Sequence, residues 1–579
     1  MIPETAQQVP SPNRASGLNP ATLLLGVCML ATGACGLILE YILATTSTYI
    51  LGNAIEQFSV TVGFMLFMMG FASWLQRFVS DAHLIEKFFF VEVALALVGG
   101  FAPMGLYAVF GIANDQFVLA QYLAFGSVGL LIGLEIPFVL RINQAYSERL
   151  SVNLARILSF DYIGSFLGAI VWVWYLLKYV PILKIGLMVA SINFAIATVT
   201  LLYFLSCKLV RFPKLCLAAV VLTGGALLAG FAFHDSWSIE LEQRLYEDKI
   251  VHAQTTRYQR IILTQNRKLG DIRLYLNGNL QFSSLDENIY HELLVHPVMA
   301  LAPRHRQVLI LGGGDGLALR EVLKYPDTEA VLLVDLDPDM TAFASQDPLM
   351  QELNRGSFAD ARVIRSLNTP KGTAVTPRGS KTLFARPDLP SWQQERQEQE
   401  GQKSQSKRRR LARVSLMNID ADKFLDLAAG KWDVVIVDLP DPNSVELCKL
   451  YSKEFYVRLA RLLAADGLAV VQATSPYHAK EAFLMIQRTL ATAGYRTLPY
   501  HGNIPSFGEW GWILASRQAL TPLPPNMAFS VPTSYATPDV FRAATVFPKG
   551  WLSSRHDDIN TRMRPLLLDR YLSESWLVE

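Results

Sequence analysis

Seven apolar runs fill positions 21–44, 58–78, 88–112, 117–139, 157–179, 185–205 and 215–233 of this 579-residue chain. Each is close to the roughly 20 residues that a helix needs to cross the hydrocarbon core of a bilayer. Backbone groups in lipid must be satisfied within the spanning element, so such runs fold as helices. The first 235 residues are therefore expected to form an all-α multi-pass transmembrane bundle of about seven helices, with the lipid bilayer as partner. Residues 1–20 form a polar tail without the basic start and cleavage site of a secretory signal. Lys and Arg gather in the second, fourth and sixth loops (Arg77, Lys87; Arg141, Arg149, Arg156; Lys208, Arg211, Lys214). By the positive-inside rule this places the N-terminus in the cytoplasm. Four carboxylates, Glu40, Glu92, Glu135 and Asp161, lie within or at the ends of the apolar runs. Carboxylates in such positions point either to transport or to span ends and pairing with Ser, Thr and Tyr neighbours. A net charge of +2 argues for no particular partner, and no nucleic-acid partner is expected. The five cysteines show neither a CxxC nor a metal spacing, so no disulfide and no zinc site are expected.

From about Ser236 the composition becomes that of a soluble protein. Residues 239–249 read as an amphipathic connector. Residues 257–263, 271–276 and 279–282 alternate around turn signals at 266–270 and Asn277-Gly278, which predicts a small antiparallel β-unit. A helix over 286–300, capped by Asp286, carries Tyr290, His291, Glu292 and His296. Histidines five apart share a helix face poorly, so no metal site is expected there.

Residues 307–337 read QVLILGGGDGLALREVLKYPDTEAVLLVDLD. A short apolar strand runs into the turn Gly312-Gly313-Gly314-Asp315-Gly316. A helix follows, and a second strand ends on Asp335. Glycines let a ligand approach the sheet edge, and a carboxylate at the second strand end accepts hydrogen bonds from ribose hydroxyls. Asp315 interrupts the glycines and no phosphate-binding pattern opens the helix. A compound with an adenosine but no pyrophosphate fits better, of the S-adenosyl type.

Strands at 414–419, 433–437 and 467–472 and helices at 423–429, 453–464 and 480–493 continue the alternation. An insertion at 364–412, rich in Lys, Arg, Gln, Ser and Pro, is expected to be disordered and basic. The C-terminal part is thus an α/β Rossmann-like domain of the methyltransferase type behind the small β-unit. Asp315, Asp335, Asp420, Asp438 and Asp441 all fall at carboxyl ends of its parallel strands, where open α/β sheets bind ligands. The expected division is 1–20, 21–235, 236–304 (connector and β-unit) and 305–579.

The soluble half resembles the polyamine aminopropyltransferases, the spermidine synthases, and in particular their branch with an N-terminal multi-span domain. The motifs that carry the resemblance are Tyr258-Gln259, LNGNLQFSSLDENIYHE from Leu276, LGGGDGLALREVLKY from Leu311 and DLDP from Asp335. NIDADKFL from Asn418, DVVIVDLPDP from Asp433, YSKEFY from Tyr451 and QATSPY from Gln472 complete the set. The resemblance implies transfer of an aminopropyl group from decarboxylated S-adenosylmethionine, a co-substrate, to putrescine or a related diamine, with no prosthetic group and no metal. It implies Asp438 as the base, and Asp441, Tyr290, Gln281 and His291 around the amine. For the donor it implies Gln259, Gly312, Gly313, Gly314, Asp315, Asp335, Asp420 and Ala421. It further implies a homodimer or tetramer. An enzyme that uses an intracellular nucleoside is expected inside the cell, which makes this an inner-membrane protein whose catalytic half is cytoplasmic. That last expectation conflicts with loop charge, because seven spans from a cytoplasmic N-terminus put the C-terminal half outside.

Departures from the family pattern fall at Leu439-Pro440, Asn443-Ser444, Asn277 and Phe507. They are expected on the amine side, which leaves the acceptor less defined than the donor. Two other readings of the residues stand beside this one: a methyltransferase on the same fold, and a membrane transporter or sensor with a ligand-binding soluble half.

Overall fold

The computed structural model describes residues 20–51, 54–146, 149–360, 363–364, 413–520, 523–524 and 526–574. The polar tail lies outside them except for Pro20, as does the expected insertion except for Ile364. The chain divides into two compact units, Met1–Lys249 and Ile250–Glu579.

Among the described residues, seven helices of the first unit are long and apolar enough to cross a membrane: Pro20–Leu51, Ile55–Phe78, Leu84–Ile112, Phe117–Gln144, Leu150–Leu176, Ile182–Ser206 and Pro213–His234. They outrun the apolar runs because polar residues at their ends still make helical backbone bonds. The last helix continues to Gln243, so residues 239–243 are helix rather than connector. Many large apolar side chains face outward, Phe67, Tyr162, Phe166, Trp174 and Leu222 among them. Small residues bring the helices together. A Cβ on Gly164 would stand 2.0 Å from the Leu30 carbonyl oxygen, and one on Gly133 would stand 2.5 Å from that of Met69. Glu92 and Glu135 are buried in this unit.

The second unit opens with a four-stranded antiparallel sheet in the order β1 (Lys249–Thr255), β2 (Arg260–Gln265), β3 (Ile272–Leu276), β4 (Asn279–Ser283). Strand β1 was not expected from the sequence. Asn277 and Gly278 have φ of 51° and 83° between β3 and β4, the left-handed pair that a two-residue hairpin turn demands. Asn277 also accepts from the Arg260 N–H at 2.8 Å.

An eight-stranded sheet follows in the order β11-β12-β10-β9-β5-β6-β8-β7. Strands β5 (Gln307–Gly312), β6 (Ala330–Asp335), β7 (Val363–Ile364), β8 (Arg413–Asn418), β9 (Trp432–Asp438) and β10 (Leu463–Gln472) run parallel. Ile364 is therefore strand, at the start of the segment expected to be disordered. Strands β11 (Arg496–Ile504) and β12 (Gly508–Ser516) add an antiparallel hairpin that the expected alternation lacked. Apolar runs such as Val308–Leu311 and Val434–Val437 are wholly buried, as strands covered on both faces must be. From β5 the chain builds outward on one side through β6, and returns on the other through β9. The strand order reverses between β5 and β9, and open α/β sheets bind ligands at that reversal.

Candidate active site at the strand reversal

The register of β5 against β9 sets Gly312 opposite Asp438. The fit is close: Gly312 has φ of 89°, and a Cβ there would stand 1.8 Å from the Asp438 carbonyl oxygen. A Cβ on Gly314 would stand 2.5 Å from Asp335 Oδ2. The glycine turn is thus closed in by the two strand-end aspartates. Asp315 turns one oxygen to the Leu317 N–H at 2.9 Å, at the start of helix Leu317–Val322.

Asp335 accepts from the Asp337 N–H at 2.8 Å. Burial pushes its carboxyl up to about 7; the Asp337 and Gly314 N–H groups oppose this, and the Asp337 and Asp315 carboxylates add to it. Gln259 donates to Asp337 Oδ2 at 3.0 Å, beside Thr256 Oγ1 at 2.7 Å. The small sheet is thereby tied to the edge where Asp335 stands. Asp420 accepts from the Asp422 N–H at 2.8 Å as the cap of helix Ala421–Leu427, and meets Lys449 Nζ at 2.7 Å. Burial raises this carboxyl, but the Lys449 ammonium and the cap outweigh it and hold it below its ordinary value. Ala421 is the buried first residue of that helix.

Asp438 and Asp441 are the other centre. Asp438 Oδ1 accepts from the Tyr290 hydroxyl at 2.7 Å. Burial pushes Asp438 up to about 6; the His291 charge opposes this, Asp315 adds to it, and the Tyr290 hydroxyl opposes it. Asp441 accepts from Gln472 Nε2 at 3.2 Å and from the Tyr571 hydroxyl at 2.9 Å. It too is pushed up to about 6, by burial first, with those two donors opposing. Gln472 Oε1 accepts from the Thr474 N–H at 3.1 Å, which fixes the amide so that Nε2 faces Asp441, the Leu439 carbonyl and the Tyr451 hydroxyl. Tyr451 in turn donates to the Pro440 carbonyl at 2.9 Å. The loop after β9 is therefore held from two sides. The Tyr290 ring lies among Phe507, Trp510 and Trp512, with centroids 6.5, 6.4 and 5.6 Å away.

Three expected residues stand differently. Gln281 donates to the carbonyl of Asn279 on its own strand at 3.1 Å, and no hydrogen bond among the described residues links it to the acid pair. His291 is buried, with Nδ1 on Glu287 Oε2 at 2.9 Å, and Glu287 takes Arg320 through both oxygens at 2.7 and 2.9 Å. Although burial opposes it, Glu287 raises the imidazole to about 9, which favours its charged form, and Nδ1 is already engaged by Glu287. Asp286 makes no cap bond; its carboxylate accepts from the N–H and hydroxyl of Ser506 at 2.6 and 2.8 Å. Ligand atoms of Glu292, His296 and Glu321 lie within 4.8 Å of one another. Glu292 already accepts three backbone N–H groups from Ser534, Tyr535 and Ala536, and His296 sits between Tyr325 and Glu321, which gives the cluster a structural use. Gln472, Tyr451 and Tyr571 join the site through the fold and not through a role that the motifs imply. Gln472 has a readable signal, a polar residue closing the apolar strand GLAVVQ; Tyr571 has none.

A family model for the spermine/spermidine synthase domain matches residues 287–372 and 403–524. Polyamine aminopropyltransferase 2 of Ralstonia nicotianae is 37% identical over 568 residues, covering 96% of this chain and 99% of that one. The chain belongs to the polyamine aminopropyltransferase family. Polyamine aminopropyltransferase 1 of Streptomyces coelicolor is 35% identical, with 98% and 97% covered, and the enzyme of Oceanobacillus iheyensis is 35% identical, with 89% and 90% covered. Coverage of this order extends across the helical unit, so these aminopropyltransferases share it. The crystal structure of spermidine synthase from Thermotoga maritima aligns with a TM-score of 0.40 at 23% identity, over 52% of this chain and 87% of that one.

Proposed function

We propose that this aminopropyltransferase moves the aminopropyl group of decarboxylated S-adenosylmethionine onto putrescine or a related diamine, giving spermidine or its homologue and methylthioadenosine. Asp438 first takes a proton from the ammonium of the acceptor; the freed nitrogen lone pair then attacks the carbon beside the sulfonium, the carbon–sulfur bond breaks, and sulfur keeps the electron pair. The observation that carries this reading is a buried carboxylate raised to about 6, held by Tyr290 and set against the glycine turn. A base titrating near the working pH is half of what proton removal from an ammonium requires. Asp441 supplies the second anionic point for a dication. Gly312, Gly313, Gly314 and Asp335 receive the nucleoside, Asp315 the donor's aminopropyl ammonium, and Gln259, Asp420 and Ala421 support the adenosine side. The helical unit is proposed to sit in the inner membrane with the catalytic unit in the cytoplasm, as an assembly of two or four copies.

The test is amine-dependent release of methylthioadenosine by the detergent-solubilised whole chain, with a panel of diamines. Release with Asp438 intact, and its loss in Asp438→Asn with donor binding kept, is the expected result. Donor binding without release for any amine overturns the reading in favour of methyl transfer or sensing.

A second reading concerns the helical unit alone. Glu92 and Glu135 are buried side by side, each carboxyl within hydrogen-bonding reach of the other. Carboxylates placed so suit cation handling. Diamine uptake by proteoliposomes of the Asp438→Asn chain, lost on Glu92→Gln and Glu135→Gln, supports it; absent uptake removes it.

A further inference from the structure

The matched synthase domain ends at residue 524, yet the chain beyond it reaches the acid pair. Helix Leu566–Glu574 carries Tyr571, whose hydroxyl donates to Asp441 Oδ2 at 2.9 Å. Leu567 and Tyr571 pack in one apolar cluster with Leu439, Cys448 and Tyr451, the residues that shape the loop after β9. Asn560 fixes the approach to this helix. It is fully buried, donates to the Cys448 carbonyl at 2.8 Å, and accepts from the Leu567 N–H at 3.4 Å. Its own carbonyl accepts from the Lys453 N–H at 2.9 Å. The C-terminal segment is thus built into the same side of the site as Asp441.

Among the described residues, each carboxylate oxygen of Asp441 is met by one donor, Gln472 on Oδ1 and Tyr571 on Oδ2. Gln472 is locked by Thr474, as described above. Tyr571 is the donor that comes from outside the sheet, on an element with its own packing. We propose that Tyr571 is a positioning and specificity-determining residue of the acceptor site: it orients Asp441 toward the distal ammonium of an alkyl diamine, and its ring closes that end of the site and limits the length of amine accepted. The inference rests on the aminopropyl-transfer reading. Its chemistry is direct. A hydroxyl donor stabilises the carboxylate form of Asp441, which is the form an ammonium needs, and opposes the burial that raises this carboxyl to about 6.

The experiment measures kcat and KM of the whole chain for diamines of increasing methylene number and for a triamine, comparing wild type with Tyr571→Phe and Tyr571→Ala. Tyr571→Phe keeps the packing and removes the donor. Its KM for the preferred diamine is expected to rise about tenfold or more, the loss of one hydrogen bond to a charged group, with kcat within about twofold. Tyr571→Ala is expected to shift the preferred acceptor to a longer amine. Unchanged KM and an unchanged order of acceptors in both variants overturn the inference, as does a fall in kcat alone. A wild-type chain that releases no methylthioadenosine with any amine overturns the underlying reading instead, so the two failures are distinct.

Discussion

The Tyr290 hydroxyl donates to Asp438 Oδ1 at 2.7 Å, and the two residues lie 148 positions apart in the chain. The bond favours the carboxylate form of Asp438 against the burial that raises it. In Tyr290→Phe the burial and Asp315 contributions remain while this opposing donor is gone. The acid limb of kcat/KM is expected to move to higher pH, with a loss at pH 7 of about 1 kcal/mol, roughly fivefold. A pH–rate profile checks this. A uniform loss with an unmoved limb would assign Tyr290 to packing among Phe507, Trp510 and Trp512 only.

Asp438→Asn removes the proton acceptor without changing shape. General-base contributions are typically about 10²- to 10⁴-fold, so kcat is expected to fall by that order. Donor affinity, followed by calorimetry, is expected to hold. In the wild type, Asp438 and Asp441 are both raised to about 6, so kcat/KM should climb with pH through that value as the carboxylates form. A flat profile across it would remove Asp438 as the base.

Gly314→Ala tests the donor side alone. A Cβ at this position would stand 2.5 Å from Asp335 Oδ2, so the turn or the carboxylate must move. Donor binding is expected to be lost while the chain still melts cooperatively. Asp335→Asn should weaken donor binding as well, and should remove its dependence on pH around 7, where the wild-type carboxyl titrates.

Arg320, Glu287 and His291 form a chain of buried charges whose His291 end acts on Asp438. Glu287 is held down at about 2: burial opposes this, and the His291 and Arg320 hydrogen bonds and charges prevail. A depressed carboxyl contributes stability above its unfolded value near 4.5, and that contribution is lost as pH falls through 2. His291 is raised from 6.5 to about 9, so its contribution is complete below 6.5 and is lost as pH rises through 9. Removing one partner of a buried pair typically costs about 3–5 kcal/mol. Glu287→Ala is therefore expected to lower the denaturation midpoint of the second unit strongly, and to flatten the alkaline loss of stability.

What the sequence disclosed follows from how local each signal is. Asp335 and Asp438 end short apolar strands, so their placement at the sheet edge could be read from a few consecutive residues, and the glycine turn likewise. Strand β1, KIVHAQT, has one face exposed and only modest alternation, and it adjoins the end of a long helix that hid it. The hairpin β11–β12 carries Pro499 and Gly502 in one strand and three glycine or proline breaks nearby, and only pairing with β10 makes it sheet. Asp286 has the chemistry and spacing of a cap, yet Ser506, 220 positions away, takes its carboxylate. Tyr571 on Asp441 spans 130 positions with no pattern in between. Contacts of that reach depend on the whole fold.

Cys207 offers a native reporter for the sidedness that loop charge and chemistry dispute. It is the exposed one of the five cysteines; Cys28, Cys35, Cys216 and Cys448 are buried. It follows helix Ile182–Ser206, in the loop before helix Pro213–Gln243. If that last helix crosses the bilayer, Cys207 and the catalytic unit face opposite sides. A cytoplasmic catalytic unit then exposes Cys207 to the periplasmic or outer side. A membrane-impermeant maleimide is expected to label it in cells whose inner membrane is intact, and Cys207→Ser is expected to abolish that labelling. Labelling only after the membrane is permeabilised would put Cys207 inside with the other basic loops, and would require either an external catalytic unit or a last helix that does not cross. Loop charge predicts that second outcome, and the need for an intracellular nucleoside donor predicts the first. One thiol decides between them.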